Sequence, residues 1–305
     1  MHISVLLNEC IEYLNLKDNS IIVDATLGYA GHSSEILKRI KKGFLFAFDQ
    51  DKEAINNSKQ KLDKIGNNYE IIYSNFVNMK DKLKEKNIEK VDGILFDLGV
   101  SSPQLDEDYR GFSFHNDSPL DMRMDTESKL TAKDIVNNYS KEELANIFFK
   151  YGEEKYARSI AEGIIKYRET KEIETTLELV EIIKNNVPEK YKREKHPARK
   201  VFQALRIEVN NELEVFERAL KDALDLLSIN GRICVITFHS LEDKICKKIF
   251  NEVTNIDDTL KKLPVIPDEY LPHYKVVKVL EPTNDEILKN NRARSAKLRV
   301  IEKIK

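Results

Sequence analysis

The chain is organised around the stretch Val91-Asp92-Gly93-Ile94-Leu95-Phe96-Asp97-Leu98-Gly99-Val100. Its short apolar run ends at an acid and is followed by glycine, which predicts a buried strand that leads into a polar loop. Aromatic, acidic and arginine side chains then alternate as far as Met124. Ordinary connections are much shorter, so this length and composition predict a loop that binds a ligand or takes part in catalysis.

The same order of strand, small-residue turn and helix occurs upstream of this stretch. Residues 20–24 and 43–49 are apolar runs that end at Asp24 and Asp49, and a third run covers residues 69–74. A turn with Gly28 and Gly31 follows the first run, and glycine lets a backbone approach a ligand closely. Alternating strands and helices predict an α/β fold with a doubly wound, mostly parallel sheet.

From about Thr131 onward the apolar residues recur at helical spacing, without a strand pattern between them. We therefore predict a helical domain inserted at residues 126–200, with the α/β core formed by residues 1–125 and 201–305. The charged segment 188–197 is expected to leave the insertion without packing. Residues 198–227 are expected to form one long helix that ends near Asn230-Gly231.

Composition limits the classes of protein that this chain can be. Its formal net charge is -2, so a nucleic-acid partner has to be held by local basic patches rather than by overall charge. Apolar runs of bilayer length and a signal-peptide pattern are lacking, so we expect a cytoplasmic protein without a membrane partner. Cys10, Cys234 and Cys246 lack the spacing of a zinc site, and we expect buried thiols and no metal.

Two of the strand-ending acids are candidates for ligand binding. Asp49 follows the glycine turn by about twenty residues, where a carboxylate accepts the hydroxyls of an adenosine ribose. Its alternative role is to cap the next helix. Gly28, Ala30 and Ser33 occupy the three glycine positions of the dinucleotide fingerprint, which disfavours NAD. Asp97 lies where open α/β sheets bind ligands, although an acid there can also only stabilise its own loop.

The long loop and two basic segments are candidates for substrate contact. Phe112 and Phe114 offer faces on which a base stacks, although for either one alone a core position is the more common outcome. Arg110 and Arg123 are suited to phosphate. Residues 190–200 and 292–299 form either RNA-binding patches or ordinary solvated surface.

Several segments are specific enough to compare with known families. They are Asp24-x-Thr-x-Gly-x-x-Gly-His-Ser33, Asp97-Leu-Gly-Val-Ser-Ser-Pro-Gln-Leu-Asp106, Arg110-Gly-Phe-Ser-Phe114, Pro119-Leu-Asp-Met-Arg-Met124, His196-Pro-Ala198, Phe202-Gln-Ala-Leu-Arg-Ile-Glu-Val-Asn210, Phe238-His-Ser-Leu-Glu-Asp243 and Arg292-Ala-Arg-Ser-Ala-Lys-Leu-Arg299. Together they closely resemble the ribosomal RNA small subunit methyltransferase H family over nearly the whole chain.

The resemblance implies a Rossmann-like class I methyltransferase core with an inserted helical domain that recognises substrate. It also implies S-adenosyl-L-methionine-dependent methylation of the N4 amine of a cytidine in the decoding region of 16S ribosomal RNA. The implied partner is that RNA, within the small ribosomal subunit of a bacterial cytoplasm, and either a monomer or a homodimer is compatible with the sequence.

Site residues follow from the same motifs. The resemblance places the cofactor against Ala30, Gly31, His32, Asp49, Phe76, Asp97 and Gln104. We assign Asp97 and the Ser102-Pro103 turn to catalysis, as acceptors for the amine hydrogens. Contact with substrate is assigned to Phe112, Phe114, Arg110, Arg123, Arg292 and Arg294, and a general base is left open among Asp106, His115 and Asp121.

This sequence departs from the family pattern at two positions. Ala30 stands where the family usually has glycine, which asks one extra methyl group to fit beside the cofactor. Ser4 stands where the family usually has proline. Because alanine has the smallest side chain after glycine, we expect cofactor binding to survive.

Two other functions are compatible with parts of the pattern. One is a ribosome-binding or assembly factor that keeps a methyltransferase fold without catalysis, although the intact Asp24, Gly28, Gly31, Asp49 and Asp97 argue against it. The other is an amino-methyltransferase of DNA. Four residues separate Asp97 from Ser102-Pro103, which departs from the compact acid-Pro-Pro-aromatic motif of those enzymes.

Overall fold

A computed structural model describes residues 4–100, 109–194, 196–256, 259–262 and 264–305. Its contacts divide the chain into two compact units, Met1–Gly99 with Leu213–Lys305 and Val100–Glu212. We call the first the sheet unit and the second the helical unit. Each is described separately below.

In chain order, the strands and helices are α1 (Leu7–Tyr13), β1 (Ile21–Asp24), α2 (Gly31–Leu37), β2 (Phe44–Asp49), α3 (Lys52–Leu62), β3 (Tyr69–Tyr73), α4 (Met79–Lys84), β4 (Val91–Asp97), α5 (Ala132–Asn138), α6 (Lys141–Gly152), α7 (Ala157–Arg168), α8 (Thr176–Asn185), α9 (Glu189–Glu194), α10 (Ala198–Asn210), α11 (Glu212–Leu226), β5 (Leu227–Thr237), α12 (Ser240–Thr254), β6 (Tyr274–Leu280), α13 (Asn284–Lys289) and β7 (Lys297–Lys303).

The sheet unit is built on one seven-stranded sheet in the order β3-β2-β1-β4-β5-β7-β6. Strands β1 to β5 pair in parallel, whereas β7 is antiparallel to both β5 and β6. The prediction of an α/β fold with a doubly wound, mostly parallel sheet is confirmed. Chain order reverses between β1 and β4, and open sheets of this kind bind ligands beyond the carboxyl ends of the strands at that point.

Both faces of the sheet are covered by apolar clusters. Neighbouring residues on a strand point to opposite faces and therefore join different clusters. Ile22 and Leu95 join one apolar cluster, with α1, α2 and residues near the chain's end. Val23 and Phe96 join the other, with α4, α11 and α12. Burial on both faces explains why these strands are continuous apolar runs rather than alternating ones.

The helical unit packs α5 to α8 and α10 around a separate apolar cluster. Loop residues Phe112, Leu120 and Met122 belong to the same cluster, and so do the buried residues of α10. The sequence predicted boundaries at residues 126 and 200. The helical unit instead begins earlier, at Val100, and ends later, at Glu212. Composition alone did not indicate that the long loop packs with the helices.

Two local predictions in this region were wrong. Residues 198–227 do not form one helix, because α10 ends at Asn210. The next residue, Asn211, has a left-handed φ of 48°, a conformation that Asn tolerates. The charged segment after Pro188 does pack. Its helix α9 carries Tyr191, whose hydroxyl donates to the buried Glu154 carboxylate at 2.6 Å.

Cys10, Cys234 and Cys246 are buried free thiols, as predicted, and burial raises the pKa of each. Within the described ranges, none of the helices combines the length and apolar character needed to cross a bilayer.

Candidate functional site

The turn between β1 and α2 is held closed by Asp24. One carboxyl oxygen of Asp24 accepts the Thr26 N–H at 3.1 Å, and the other accepts the Ser33 hydroxyl at 2.6 Å. Asp24 is 1% exposed, and burial raises its pKa. This acid therefore shapes the turn from inside rather than offering a free carboxylate to a ligand.

Backbone conformation explains the small residues of this turn. Gly28 and Ala30 both have positive φ values, 49° and 58°, in the left-handed region that favours glycine. Helix α2 begins directly afterwards at Gly31, where a Cβ would lie 1.8 Å from the Ser4 hydroxyl oxygen. A side chain at this position would therefore collide with Ser4, so the helix can begin here only with glycine.

The methyl group of Ala30 lies in the apolar cluster of the sheet unit and is fully buried. The sequence had led us to expect that methyl beside the cofactor. The structure instead identifies the backbone as the cost of alanine at this position, since a left-handed residue with a Cβ costs about 1–2 kcal/mol.

Asp49, at the end of β2, joins the glycine turn to the next helix. Its carboxylate accepts the Gly28 N–H at 2.8 Å and the Asp51 N–H at 2.9 Å. Burial raises the pKa of Asp49 to about 7, although these hydrogen bonds oppose the shift. Asp51, rather than Asp49, caps α3, so the capping role proposed as the alternative belongs to its neighbour.

Asp97, at the end of β4, differs from Asp24 and Asp49 in the hydrogen bonds that its carboxyl group receives. Its backbone N–H donates to the Thr26 hydroxyl at 2.7 Å, so the strand end is fixed. Burial, together with the charges of Asp24 and Glu242, raises the pKa of its carboxyl group to about 8. Among the described residues, no N–H or O–H group donates a hydrogen bond to this carboxyl group.

His32 is the nearest partner of the Asp97 carboxyl group. Its Nδ1 lies 3.5 Å from Asp97 Oδ2, and its Nε2 lies 3.2 Å from the Val5 carbonyl oxygen. A carbonyl accepts but does not donate, so this geometry fits a ring protonated at Nε2. The unprotonated Nδ1 then faces Asp97 as an acceptor, which suits a neutral Asp97 carboxyl group at pH 7.

Phe76 lies after β3 in a short 3-10 turn, Phe76–Asn78, that Asn75 caps through its side chain. The ring is partly exposed and packs edge-on against the buried Phe96, with 5.7 Å between ring centroids. The sheet unit therefore offers a supported aromatic face after β3, in addition to acids after β2 and β4. Ser102, Pro103, Gln104 and Asp106 lie outside the described residues.

Three of the predicted substrate contacts are engaged inside the helical unit. Phe112 is 6% exposed and belongs to the apolar cluster. The buried Arg110 guanidinium donates to the carbonyls of Arg123 and Met124. Arg123 donates twice to Asp121 and also to the carbonyls of Thr126 and Ser128. These side chains stabilise the long loop, and their contact with substrate stays a prediction.

The arginine also acts on one of the candidate bases. Burial opposes the shift, but hydrogen bonds from Arg123 lower the pKa of Asp121. An acid with a lowered pKa that is already paired with a guanidinium is a weak proton acceptor at pH 7. Asp121 is therefore better explained as a loop-forming residue than as a general base.

Phe114 differs from Phe112 because its ring is partly exposed. It stacks on His196 with 4.5 Å between ring centroids and an interplanar angle of 23°. His196 begins the His196-Pro-Ala198 motif, to which the sequence assigned no role.

Arg292 and Arg294, two further predicted substrate contacts, are exposed in the sheet unit, in the turn Asn291–Ser295 before β7.

Comparisons with known proteins give this site a family. Residues 1–304 match the MraW methylase family. The chain belongs to this family. It is also 54% identical to the ribosomal RNA small subunit methyltransferase H of Finegoldia magna, over 99% of this chain and 98% of that protein. The family resemblance that the motifs predicted is confirmed, and the chain is a methyltransferase.

Solved structures with lower similarity also align with the chain. An rRNA methylase from Streptococcus thermophilus is 14% identical over 100% of both chains, with a TM-score of 0.46. A Streptococcus mutans protein described as a methyltransferase, in complex with SAH, is 15% identical over 99% of both chains, also with a TM-score of 0.46.

The left-handed backbone at Ala30 gives a first testable prediction. Ala30→Gly should raise the free energy of unfolding by about 0.5 kcal/mol, because relief of the left-handed strain exceeds the extra chain entropy and the loss of one buried methyl group. Chemical denaturation checks this, with Ala47→Gly in β2 as the control that should destabilise. A loss of stability in Ala30→Gly matching that of the control would contradict the backbone explanation.

The raised pKa of Asp97 gives a second prediction, about stability and pH. The folded state holds this proton up to about pH 8, whereas the unfolded chain releases it near the ordinary value of 3.8. The contribution of Asp97 to stability is therefore full below about pH 4 and is lost as the pH rises toward 8. Asp97→Asn cannot ionise, so its free energy of unfolding, relative to that of wild type, should be larger at pH 8 than at pH 5.

The expected gain is at least about 1.4 kcal/mol, the equivalent of one pKa unit. Urea unfolding of both proteins at the two pH values measures it. Asp63→Asn is the matched control, because Asp63 is exposed, and a hydrogen bond from Tyr69 lowers its pKa. Its difference from wild type should be the same at both pH values, and a constant difference for Asp97→Asn would refute the raised pKa.

Proposed function

We propose that this protein transfers the methyl group of S-adenosyl-L-methionine to the N4 amine of a cytidine in the decoding region of 16S ribosomal RNA. Membership of the MraW methylase family supports the reaction class. The name of the Finegoldia magna relative, which is similar over its whole length, supports ribosomal RNA as the substrate. The observation that carries the proposal is the pair of partly buried acids at the ends of β2 and β4, the two strands on either side of β1 and its glycine turn.

The residues of the sheet unit fit such a cofactor by the chemistry of their side chains. The Asp49 carboxylate suits the two ribose hydroxyls, since it is already fixed by two backbone N–H groups. The partly exposed ring of Phe76 suits an adenine. Asp97 suits a cationic group, because a nearby positive charge favours the ionised form of an acid that burial otherwise keeps neutral. When bound, S-adenosyl-L-methionine supplies an electrophilic methyl group on a sulfonium.

The chain's contribution to the chemistry is positioning. The lone pair of the N4 amine is delocalised into the cytosine ring, so the amine has to be held in line with the methyl group and its hydrogens have to be accepted. Asp97 is our candidate acceptor, because its carboxyl oxygens have no donor among the described residues and its backbone is fixed by Thr26. Acceptors from the Ser102-Pro103 turn remain part of the proposal.

Proton removal needs no dedicated base in this scheme. The amine becomes acidic once it is methylated, so its proton can pass to water after the methyl group has moved. Asp121 is disfavoured as a base by its pairing with Arg123. His115 and Asp106 stay as candidates. We place the reaction in the bacterial cytoplasm, with the RNA within the small ribosomal subunit.

Ribosomal RNA from cells tests the substrate directly. Mass spectrometry of 16S RNA should find one cytidine lighter by a methyl group when the gene is deleted, and the methyl group should return when the gene is restored. If the same cytidine stays methylated after deletion, the proposed substrate is wrong. An unmethylated DNA cytosine in the deletion strain would instead favour a DNA methyltransferase.

Asp97 tests the assignment of the site. Asp97→Ala should abolish methyl transfer in single-turnover assays on small subunits from the deletion strain, because the acceptor is lost while the fold stays intact. Asp18→Ala is the matched control, since Asp18 is an exposed acid before the amino end of β1. Normal turnover in Asp97→Ala would refute the assignment.

Calorimetry with S-adenosyl-L-methionine separates enzyme from scaffold. Binding by the wild type with proton release near neutral pH is expected, because Asp97 has to ionise beside a cation. A wild-type protein that does not bind the cofactor would favour the non-catalytic assembly factor.

A further inference from the structure

Three partly exposed or exposed rings of the helical unit meet in one cluster. Phe114 lies 4.5 Å from His115 and 4.5 Å from His196, measured between ring centroids, and the two imidazoles are 5.5 Å apart. The nearly buried Phe202 of α10 supports Phe114 edge-on from below, at 5.6 Å. We call Phe114, His115 and His196 the ring cluster.

The loop that carries Phe114 and His115 is fastened to the start of α8. Ser118 and Thr176 exchange two hydrogen bonds, at 3.0 Å from the Ser118 N–H to the Thr176 hydroxyl and at 2.8 Å from the Thr176 N–H to the Ser118 carbonyl. The Thr176 hydroxyl also donates to the Asn116 carbonyl at 2.6 Å. The rings therefore project from a braced loop, and little conformational entropy has to be lost when a ligand orders them.

The electrostatic surroundings of His196 keep its ring neutral. Burial lowers the pKa of His196, and His115 and Lys184 lower it further. A neutral imidazole stacks on a flat ligand without the cost of desolvating a charge.

His196 of the ring cluster lies within a cationic segment of the chain. Residues 184–200 contain Lys184, Lys190, Lys192, Arg193, Lys195, Arg199 and Lys200, against two acids, Glu189 and Glu194. In the part of the chain that the structure describes, the guanidinium groups of Arg193 and Arg199 form no ion pair or hydrogen bond. Both guanidinium groups therefore stay available for an anionic ligand.

Helix α9 is held in place although it is charged. Tyr191 donates its hydroxyl hydrogen bond to Glu154, and the Lys155 ammonium lies 4.8 Å from the centroid of the Tyr191 ring. The cations of α9 therefore extend from an anchored helix. Stacking faces beside positioned cations are the two elements with which proteins bind single-stranded nucleic acid.

We propose that the ring cluster is a stacking surface for an unpaired base of an RNA, whose phosphates pair with Arg193 and Arg199. The inference rests on the proposed function, because that function makes RNA the substrate, and it adds where the helical unit grips the RNA. A base has two aromatic faces and an adjacent phosphate, which matches rings and guanidiniums together. A folded protein partner would lack this regular pairing of flat and anionic groups.

The experiment measures binding of a fluorescein-labelled, unstructured twelve-nucleotide RNA to the full chain by anisotropy. His115→Ala and His196→Ala should each weaken binding by about fivefold or more, the loss expected from removing one stacking partner. His196→Phe should restore most of the affinity, since it keeps a flat ring. The double variant Arg193→Ala/Arg199→Ala should weaken binding and reduce its salt dependence.

Phe149→Ala is the matched control, because Phe149 is a 69% exposed aromatic residue on α6 outside the ring cluster. It should bind the RNA like wild type. All variants should bind S-adenosyl-L-methionine like wild type, which shows that the sheet unit is intact, and circular dichroism with wild-type helix content shows the same for the helical unit.

Unchanged RNA affinity in His115→Ala and His196→Ala would overturn the proposal, as would equal weakening by Phe149→Ala. Loss of affinity in His196→Phe equal to that in His196→Ala would also overturn it, because stacking would not be the cause. If the ring variants weaken RNA binding while cellular cytidine methylation is unaffected by deletion of the gene, the stacking surface stands and the proposed substrate fails.

Discussion

Three aspartates end β1, β2 and β4 at one edge of the sheet. Desolvation of their carboxyl groups, nearly complete at Asp24 and partial at Asp49 and Asp97, is the constraint on which the site depends. Parallel strands place their carboxyl ends together, so the acids converge although the sequence separates them. Burial penalises each ionised form. Asp24 and Asp49 offset that penalty through hydrogen bonds from the glycine turn, and in doing so they fix its shape.

Asp97 has no such compensation among the described residues, and the chemistry follows from that difference. Burial and the neighbouring acids raise the pKa of its carboxyl group and so favour the uncharged form at pH 7. His32 lies beside it as a hydrogen-bond acceptor. A cation or an amine near Asp97 would relieve the penalty. The same acid that destabilises the unliganded protein therefore gives the site its preference for a cationic cofactor and an amine substrate.

The helical unit solves a different problem, since a long polar loop has to be ordered without strands. Arg110 and Arg123 use their guanidinium donors on loop carbonyls, and Asn210 binds both the Met122 carbonyl and the Met124 N–H. These contacts satisfy backbone groups that would otherwise be buried without partners. They leave the Phe114 ring partly exposed, so that one of its faces is accessible to a ligand.

The sequence by itself determined the order of strands and helices, the three acids and the glycine turn, because apolar periodicity and strand-ending residues are local signals. Motif spacing was specific enough to indicate the family before any geometry. Only the tertiary structure decided which of the predicted contact residues interact within the protein itself. Phe112 packs in the apolar cluster, and Arg110 and Arg123 form hydrogen bonds within the loop, although their residue types were equally compatible with exposed positions.

The same holds for Ala30, whose methyl group faces the core because of a left-handed backbone, and for His196, which lies on Phe114 across more than eighty residues of chain. Contacts between segments that distant depend on how the whole chain packs. No local pattern encodes them, so tertiary structure alone could reveal these contacts.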